Sequence, residues 1–333
     1  MTRLFITAIA VGVLALVSPA AAQSPIVIKF SHVVAHDTPK GLGAEKFKEL
    51  ADKYTNGRAK IEVYANSSLY KDKEEVEALQ LGAVHMLAPS LAKFGPLGVR
   101  EFEVFDLPYI AADKEALRRV TGGALGQKLL AMLQPKGITG LAYWDNGFKI
   151  MSANRPLHSP QDVRGLKMRI QSSKVLEAQM RALGAIPQVM AFSDVYQALQ
   201  TGVVDGTENP PSNMFTQKMH EVQKHATITN HGYVGYAVIV NKRFWDGLPA
   251  DVRQGLEKAM ADATVYANGI SDKENEQAMA EMNNSGRTTF YQPTDVEQAA
   301  WRKALAPVAD EMTGRLGKSV IEEFRKEAGT VTN

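Results

Sequence analysis

Arg169 is the residue whose type and position most clearly predict a chemical role. It lies in the stretch GLKMRIQSS, residues 165–173, where apolar residues alternate with Lys167 and Arg169 as in a β-strand. Ser172 and Ser173 follow, and serine is typical of a helix N-terminus. A strand end beside a helix start favours an anion, and a guanidinium can make two parallel hydrogen bonds to one carboxylate. We therefore predict that Arg169 binds a carboxylate, whereas a solvated strand face explains Lys167.

A second candidate, Asn209, follows another predicted strand. In the run AFSDVYQALQTGVVDGTENPPSN, residues 191–213, the strand VVDGT comes after a helix that closes at Gly202. In open α/β sheets, ligands bind beyond the carboxyl ends of the strands. Asn209 is therefore a candidate ligand residue, although an ordinary turn before the two prolines would account for an asparagine at this position equally well.

Patterns for catalysis or metal binding are weak in this chain. His32 and His36 are four residues apart, but they lie at the end of a predicted strand and form no H-E-x-x-H pattern. The sequence has no cysteine and no G-x-S-x-G nucleophile elbow, and TGGALGQK at 121–128 lacks the spacing of a phosphate loop. The sequence predicts no metal, no cofactor and no enzyme activity.

Length and charge indicate a large globular protein. The 333 residues exceed one typical core, so two domains are expected. The 38 basic and 36 acidic residues are scattered, and this pattern predicts no nucleic-acid partner.

The N-terminus has the pattern of a secretory signal. Arg3 precedes an apolar run over residues 4–17, and the alanines at 20–22 form an A-x-A cleavage site. We expect residues 1–22 to be a signal peptide cleaved after about Ala22, with no direct membrane insertion afterwards. An uncleaved anchor helix would need a longer apolar stretch.

Hydrophobic periodicity predicts an α/β fold. Residues after the signal alternate as strand, helix, strand, helix and strand, with Asp72 as the expected N-cap of the second helix. The alternation recurs further along, so we expect two β/α units with parallel strands. Pro249 to about Asn284 is predicted as one long helix that could span two lobes, and Thr294 with Glu297 forms a capping box.

Several long motifs resemble one transporter family. The runs DLPYI, YWDNGFKIMSANRPL, GLKMRI and VMAFSDVYQALQTGVVDGTENP resemble the substrate-binding proteins of tripartite ATP-independent periplasmic (TRAP) transporters, over essentially the whole mature chain. IKFSHVV, LYKDKEEVEALQLGAVHMLAPSLAKFGPLG and NPPSNMFTQKM are most similar to the members that bind C4-dicarboxylates. The resemblance implies a periplasmic receptor that binds malate, succinate or fumarate and delivers it to the membrane subunits of the transporter.

The resemblance also implies a fold and a set of ligand residues. The fold is a two-lobe periplasmic binding protein, each lobe a β-sheet flanked by helices, with crossing strands and a long helix spanning the lobes. Lobe I would be 23–147 plus 235–275, and lobe II 148–234 plus 276–333. The family's carboxylate-binding arginine falls on Arg169, and the other ligand-binding positions fall on Asn209, Lys149, Lys93, Ser90, Ser172, Phe192, His32 and Tyr236.

Two other functions remain open at the level of sequence. An exported hydrolase or isomerase would need a positioned base or nucleophile, and no residue here is favoured for either role. A receptor for another organic acid, such as an α-keto or aromatic acid, would keep Arg169 but replace the other cations with apolar contacts.

Overall fold

A computed structural model describes residues 24–330, so the predicted signal peptide lies outside the described part of the chain. The first sheet begins with β1 (Ile26–Ser31), whose residues alternate between a buried and a more exposed face. Helix α1 (Pro39–Tyr54) follows, and its start is fixed by Thr38, whose hydroxyl accepts a 3.1 Å hydrogen bond from the Gly41 amide. The predicted β-α-β-α-β opening is confirmed by β2 (Ala59–Tyr64), α2 (Glu75–Gln80) and β3 (Met86–Leu87).

The first sheet has the strand order β2-β1-β3-β10-β4. Its last two members are β4 (Ile138–Phe148) and β10 (Tyr233–Asn241), which pair with each other in antiparallel fashion. β1 pairs in parallel with both β2 and β3. Trp144 and Phe30 pack in the core between this sheet and α1, with ring centroids 6.0 Å apart.

The second sheet has the order β11-β9-β5-β8-β6-β7. Its strands are β5 (Ile150–Ala153), β6 (Lys167–Ile170), β7 (Ile186–Val189), β8 (Gly206–Asn209), β9 (His225–Thr227) and β11 (Thr289–Tyr291). Helix α5 (Lys174–Ala182) joins β6 to its parallel neighbour β7, and α6 (Val195–Gln200) precedes β8. The carboxyl ends of β6 and β8 therefore lie at the same edge of this sheet.

The chain crosses between the two sheets at three places, two of them short connections between strands and the third through residues 242–288, between β10 and β11. β4 belongs to the first sheet and β5 to the second, and Lys149 is the single residue between them. The chain returns through residues 228–232, between β9 and β10. The predicted crossing strands are thereby confirmed, while the exact lobe boundaries stay a prediction.

Helix α9 (Ala250–Ser285) contacts both parts of the molecule. Its 36 residues extend about 54 Å at 1.5 Å per residue. It packs against α1 and β4 on one side and against α7 (Pro211–Thr216) on the other. Gly286, with a φ of 63°, ends it in the left-handed conformation that glycine adopts without strain. The predicted long helix spanning the lobes is confirmed.

Short helices complete the fold. They are α3 (Lys114–Gly122), α4 (Ala124–Ala131), α8 (Lys242–Asp246), α10 (Asp295–Leu305), α11 (Pro307–Leu316) and α12 (Lys318–Ala328). The predicted capping box opens α10, where Thr294 accepts from the Glu297 amide and its own amide donates to the Glu297 carboxylate. α12 packs on α3 and α4, and α11 packs on α5. Within residues 24–330, no helix combines the length and apolar character needed to cross a membrane.

Candidate functional site

A small cavity lies between the two sheets and is lined from both sides. The first sheet and its connections contribute Lys40, Asp72, Glu75, Ser90, Lys93 and Tyr236. The second sheet and its connections contribute Gln171, Phe192, Asn209 and Asn213. This lining is rich in hydrogen-bonding and charged groups, which favours a small polar ligand.

Arg169 is not among the described residues that line the cavity, but it lies behind one of them, Phe192. The residue is on β6, is 1 % exposed, and its Cζ lies 5.6 Å from the centroid of the Phe192 ring. Its Nε and Nη2 atoms donate hydrogen bonds of 3.1 and 2.9 Å to the Met190 carbonyl. Burial lowers the pKa of Arg169, and nearby carboxylates such as Asp72 oppose that effect. Two of its five N–H groups are thus used to orient the guanidinium, and three remain for a ligand.

Asn209 ends β8, the strand beside β6. Arg169 is opposite Thr207 in the parallel pair, so Arg169, Thr207 and Asn209 share one face of the sheet. The Asn209 amide donates a 3.2 Å hydrogen bond to the Thr207 hydroxyl, and Asn209 itself lines the cavity. The structure therefore brings Arg169 and Asn209 to the same sheet edge, as their strand-end positions predict.

Lys93 and Asp72 form a buried ion pair in the cavity wall. The Lys93 ammonium is 2.7 Å from the Asp72 carboxylate, and both side chains are almost fully buried. Asp72 also accepts a 3.3 Å hydrogen bond from the Phe192 amide, which comes from the opposite side of the cleft. The prediction that Asp72 caps the second helix is wrong, because that helix begins at Glu75 and has Glu74 at its N-cap.

Lys40 is a cation in this cavity that the sequence did not reveal as a ligand residue. It is in the first turn of α1 and is 1 % exposed. Its ammonium donates a 2.9 Å hydrogen bond to the Ala88 carbonyl and lies 3.9 Å from the centroid of the Tyr236 ring. Burial lowers the pKa of Lys40 to about 8, against the opposing effect of the Glu75 and Asp72 carboxylates.

Polar side chains join the cavity to the crossing strands. The Asn146 amide on β4 donates hydrogen bonds to the Tyr236 hydroxyl at 2.8 Å and to the Asn213 side chain at 2.9 Å. Ser212 donates a 2.9 Å hydrogen bond to the same Asn146 side chain. Tyr236 and Asn213 are therefore held in place by a residue close to the point where the chain changes sheet.

Lys149 is held by a different set of partners. Its ammonium is 2.6 Å from one Glu208 oxygen, and the Nε2 atom of His231 is 2.7 Å from the other. Burial alone would raise the pKa of Glu208, but Lys149 and His231 outweigh it and hold that pKa at about 2. Lys149 is not among the described residues that line the cavity. Its contribution to ligand binding therefore stays a prediction.

Ser172 and His32 also lie outside the lining of the cavity. Ser172 is partly exposed, and it is Ser173 that caps α5 by accepting from the Leu176 amide at 3.4 Å. His32 is fully buried, and neither ring nitrogen has a hydrogen-bond partner in the described chain. Burial lowers the pKa of His32 to about 3, and the nearby Lys40 ammonium adds to this effect.

Two charged residues of the cavity wall, Lys40 and Glu75, were not predicted from the sequence, although each has a weak signal there. Lys40 directly follows the Thr38-Pro39 helix start, where a cation opposes the helix dipole and so has a local cost. Glu75 is four residues before the buried Leu79, so a carboxylate lies on the apolar face of α2. Charged residues in such unfavourable positions are candidates for function, although packing neighbours on distant segments are needed to identify the ligand site.

The arrangement as a whole is suited to holding an anion. Two buried cations, Lys40 and Lys93, line the cavity from the first sheet, and hydroxyl and amide groups complete the lining. On the other side, Arg169 packs against the lining residue Phe192. Within residues 24–330, no group of three or more His, Cys, Asp or Glu residues could hold a metal ion. Two sheets joined by crossing strands, with a polar cavity between them, define a two-lobed solute-binding protein.

Comparison with known proteins agrees with this class. The family described as bacterial extracellular solute-binding protein, family 7, matches residues 30–315. The chain belongs to this family, and the prediction of a TRAP-type solute-binding protein is confirmed.

The chain is similar to several characterised members over most of its length. It is 73% identical over 308 residues to the C4-dicarboxylate-binding periplasmic protein DctP of Rhodobacter capsulatus, covering 92% of each chain. It is 40% identical to a TRAP periplasmic solute-binding protein from Shewanella oneidensis solved with bound succinate, with a TM-score of 0.89 over 91% of this chain and 99% of that one. A Pseudomonas aeruginosa protein of the same type, solved with bound L-malate, is 43% identical with a TM-score of 0.84, over 86% of this chain and 100% of that one.

Proposed function

We propose that this protein is the periplasmic receptor of a TRAP transporter, and that it binds C4-dicarboxylates such as malate, succinate and fumarate between its two lobes. The observation that carries the proposal is the pair of buried cations in the cavity wall, Lys40 and Lys93, opposite Phe192, the lining residue against which Arg169 packs. A short ligand with a carboxylate at each end can contact cations on both sides. The 73% identical relative named for C4-dicarboxylate binding supports this ligand class.

Arg169 holds one carboxylate of the ligand in this proposal. Three of its N–H groups do not donate to the Met190 carbonyl, which is enough for a bidentate contact with a carboxylate. Asn209 and Ser90 donate hydrogen bonds, and Phe192 packs against the ligand. The second carboxylate is held by Lys40 and Lys93, with the Tyr236 ring supporting Lys40.

Lys149, Ser172 and His32 act less directly. Lys149 fixes Glu208 on β8, the strand that ends in Asn209, and so affects the position of that amide. Ser172 precedes the α5 cap, and His32 precedes the cavity residues Val33 and Val34. We expect substitutions at these three positions to change affinity less than a substitution at Arg169.

Binding does not require chemistry on the ligand. Arg169 is a buried cation whose hydrogen bonds go to the uncharged Met190 carbonyl, and such a cation is costly without a counter-anion. A dianion therefore stabilises the arrangement in which both lobes surround it. The ligand therefore shifts the protein towards the closed state by its higher affinity for that state. The closed receptor then delivers its ligand to the membrane subunits of the transporter.

Titration calorimetry with a matched ligand pair tests the ligand class. Succinate and butyrate share a four-carbon chain, but butyrate has one carboxylate. We expect succinate, malate and fumarate to bind at least about 100-fold more tightly than butyrate, because the second carboxylate gains charge-assisted hydrogen bonds of about 1.5 to 3 kcal/mol each. Tighter binding of an α-keto or aromatic monocarboxylate than of all three dicarboxylates would contradict the proposal and favour the other class of receptor.

A transport assay tests the proposed partners. Proteoliposomes that contain the TRAP membrane subunits should take up labelled succinate only when this protein is added outside. A receptor that binds succinate but supports no uptake with any such subunits would contradict the delivery step.

A further inference from the structure

The Glu75 carboxyl group is left unused by the contacts proposed above. It is 1 % exposed and lines the cavity, and neither carboxyl oxygen has a hydrogen-bond partner among residues 24–330. An unpartnered polar group in the protein interior is costly unless something supplies its hydrogen bond. Both oxygens are therefore available to a ligand that enters the cavity.

Three charged groups face Glu75 from neighbouring segments. They are Lys40 from α1, Asp72 from the loop before α2, and Lys93 from the short 3₁₀ turn after β3. Lys93 is already paired with Asp72 at 2.7 Å, whereas the hydrogen bond of Lys40 goes to the uncharged Ala88 carbonyl. None of these groups hydrogen-bonds to Glu75 in the described chain.

The charges of the cavity wall show which protonation state of Glu75 a bound dianion favours. The wall carries two cations, Lys40 and Lys93, and two carboxylates, Asp72 and Glu75, so its charge is zero when all four are ionised. Arg169 adds one positive charge behind Phe192. A bound dianion would leave one negative charge uncompensated in a buried site, which is strongly unfavourable. One proton on Glu75 removes that charge and turns the carboxyl group into a hydrogen-bond donor.

We propose that Glu75 contacts the ligand in its protonated form, so that the receptor takes up one proton with each dianion it binds. The proton comes from solvent, bonds to a Glu75 oxygen, and is donated in a hydrogen bond to a ligand oxygen. The inference rests on the proposed function and deepens it, because it explains how a site with two carboxylates of its own accommodates a dianionic ligand.

The acid–base properties of the cavity agree with this geometry. Burial raises the pKa of Glu75 to about 7, against the opposing effect of Lys40 and Lys93. The group can therefore be ionised before binding and protonated afterwards near neutral pH. Lys40, whose pKa burial lowers to about 8, is the competing proton acceptor that the experiment must exclude.

Calorimetry in several buffers measures the proton directly. Succinate is titrated at pH 7.5 in buffers of different ionisation enthalpy, and the slope of the observed enthalpy gives the protons bound per ligand. We expect more than half a proton for the natural protein, since a group with a pKa near 7 is mostly ionised at this pH. Glu75→Gln should still bind succinate, because its amide also donates a hydrogen bond, but should take up less than half as many protons.

Glu74→Gln is the matched control. Glu74 is the preceding residue and is exposed, so this variant should take up as many protons as the natural protein. Proton uptake that persists in full in Glu75→Gln would overturn the proposal. Succinate binding without any proton uptake by the natural protein would overturn it as well, while leaving the proposed function intact. Failure of succinate to bind at all would instead contradict the proposed function.

Infrared difference spectroscopy identifies the protonated group even if affinity changes. Isotope-labelled succinate shifts the ligand bands away from those of the protein. We expect binding to produce the C=O band of a protonated carboxyl group in the natural protein and in Glu74→Gln, and not in Glu75→Gln. The same band in Glu75→Gln would contradict the assignment to Glu75.

Discussion

Gln171 and Ser90 form a hydrogen bond across the cleft. The Gln171 amide, just after β6 in the second sheet, donates to the Ser90 hydroxyl, just before the 3₁₀ turn of the first sheet, at 2.7 Å. Asp72 and the Phe192 amide make a second contact between the same two sides. These bonds exist only when the lobes are close together, so they stabilise the closed state.

Gln171→Ala should therefore weaken ligand binding through closure. A neutral hydrogen bond contributes about 1 kcal/mol net, so we expect roughly fivefold weaker succinate binding by calorimetry. Small-angle X-ray scattering should show a more open average shape at subsaturating ligand.

Lys71→Ala is the control for this effect. Lys71 and Asp194 also bridge the cleft at 2.9 Å, but both side chains are about half exposed and water competes for the pair. The affinity change should be smaller than that of Gln171→Ala. Unchanged affinity in Gln171→Ala would show that its bond to Ser90 does not contribute to closure.

The Lys149–Glu208 pair should matter more for stability than for contact with the ligand. Lys149→Met leaves a buried carboxylate with only His231 as a partner, and breaking a buried ion pair costs about 3 to 5 kcal/mol. We expect that loss in the free energy of unfolding measured with urea. The double variant Lys149→Met/Glu208→Met should recover much of the lost unfolding free energy, because the pair then leaves no unpaired charge. A double variant as unstable as Lys149→Met would contradict a stabilising role of the Lys149–Glu208 ion pair.

His32 should make stability depend on pH. Its folded pKa of about 3 is below the ordinary value of 6.5, so the unfolded chain binds this proton first as the pH falls. The stabilising contribution is complete above about pH 6.5 and is lost progressively towards pH 3. Relative to His32→Leu, the natural protein should lose about 1.4 kcal/mol of unfolding free energy for each pH unit in this window. Parallel pH profiles of the two proteins in urea unfolding would contradict a buried neutral His32.

The shared sheet edge of Arg169 and Asn209 could be predicted because the signals of both residues are local. Each is at the carboxyl end of a short strand, and the rule for ligand sites in parallel sheets then brings them to one edge. The long helix and the capping box at Thr294 were predictable for the same reason, since periodicity and capping depend on nearby residues.

Residues whose role depends on distant partners were harder to assign. Asp72 looks like a helix cap in sequence, but its partner Lys93 is 21 residues away and its second contact, Phe192, is 120 residues away. Lys149 stays a predicted ligand residue, and its partner Glu208 on β8 is 59 residues away. Such long-range pairs follow from the packing of the two sheets and leave no pattern in a single segment.

Arg169→Ala gives the most direct test that a guanidinium binds one end of the ligand. Succinate is titrated by calorimetry into the natural protein and the variant, and thermal unfolding without ligand checks that both are folded. Loss of two charge-assisted hydrogen bonds of about 1.5 to 3 kcal/mol each predicts at least about 100-fold weaker binding. A folded Arg169→Ala protein that binds succinate as tightly as the natural protein would contradict the account.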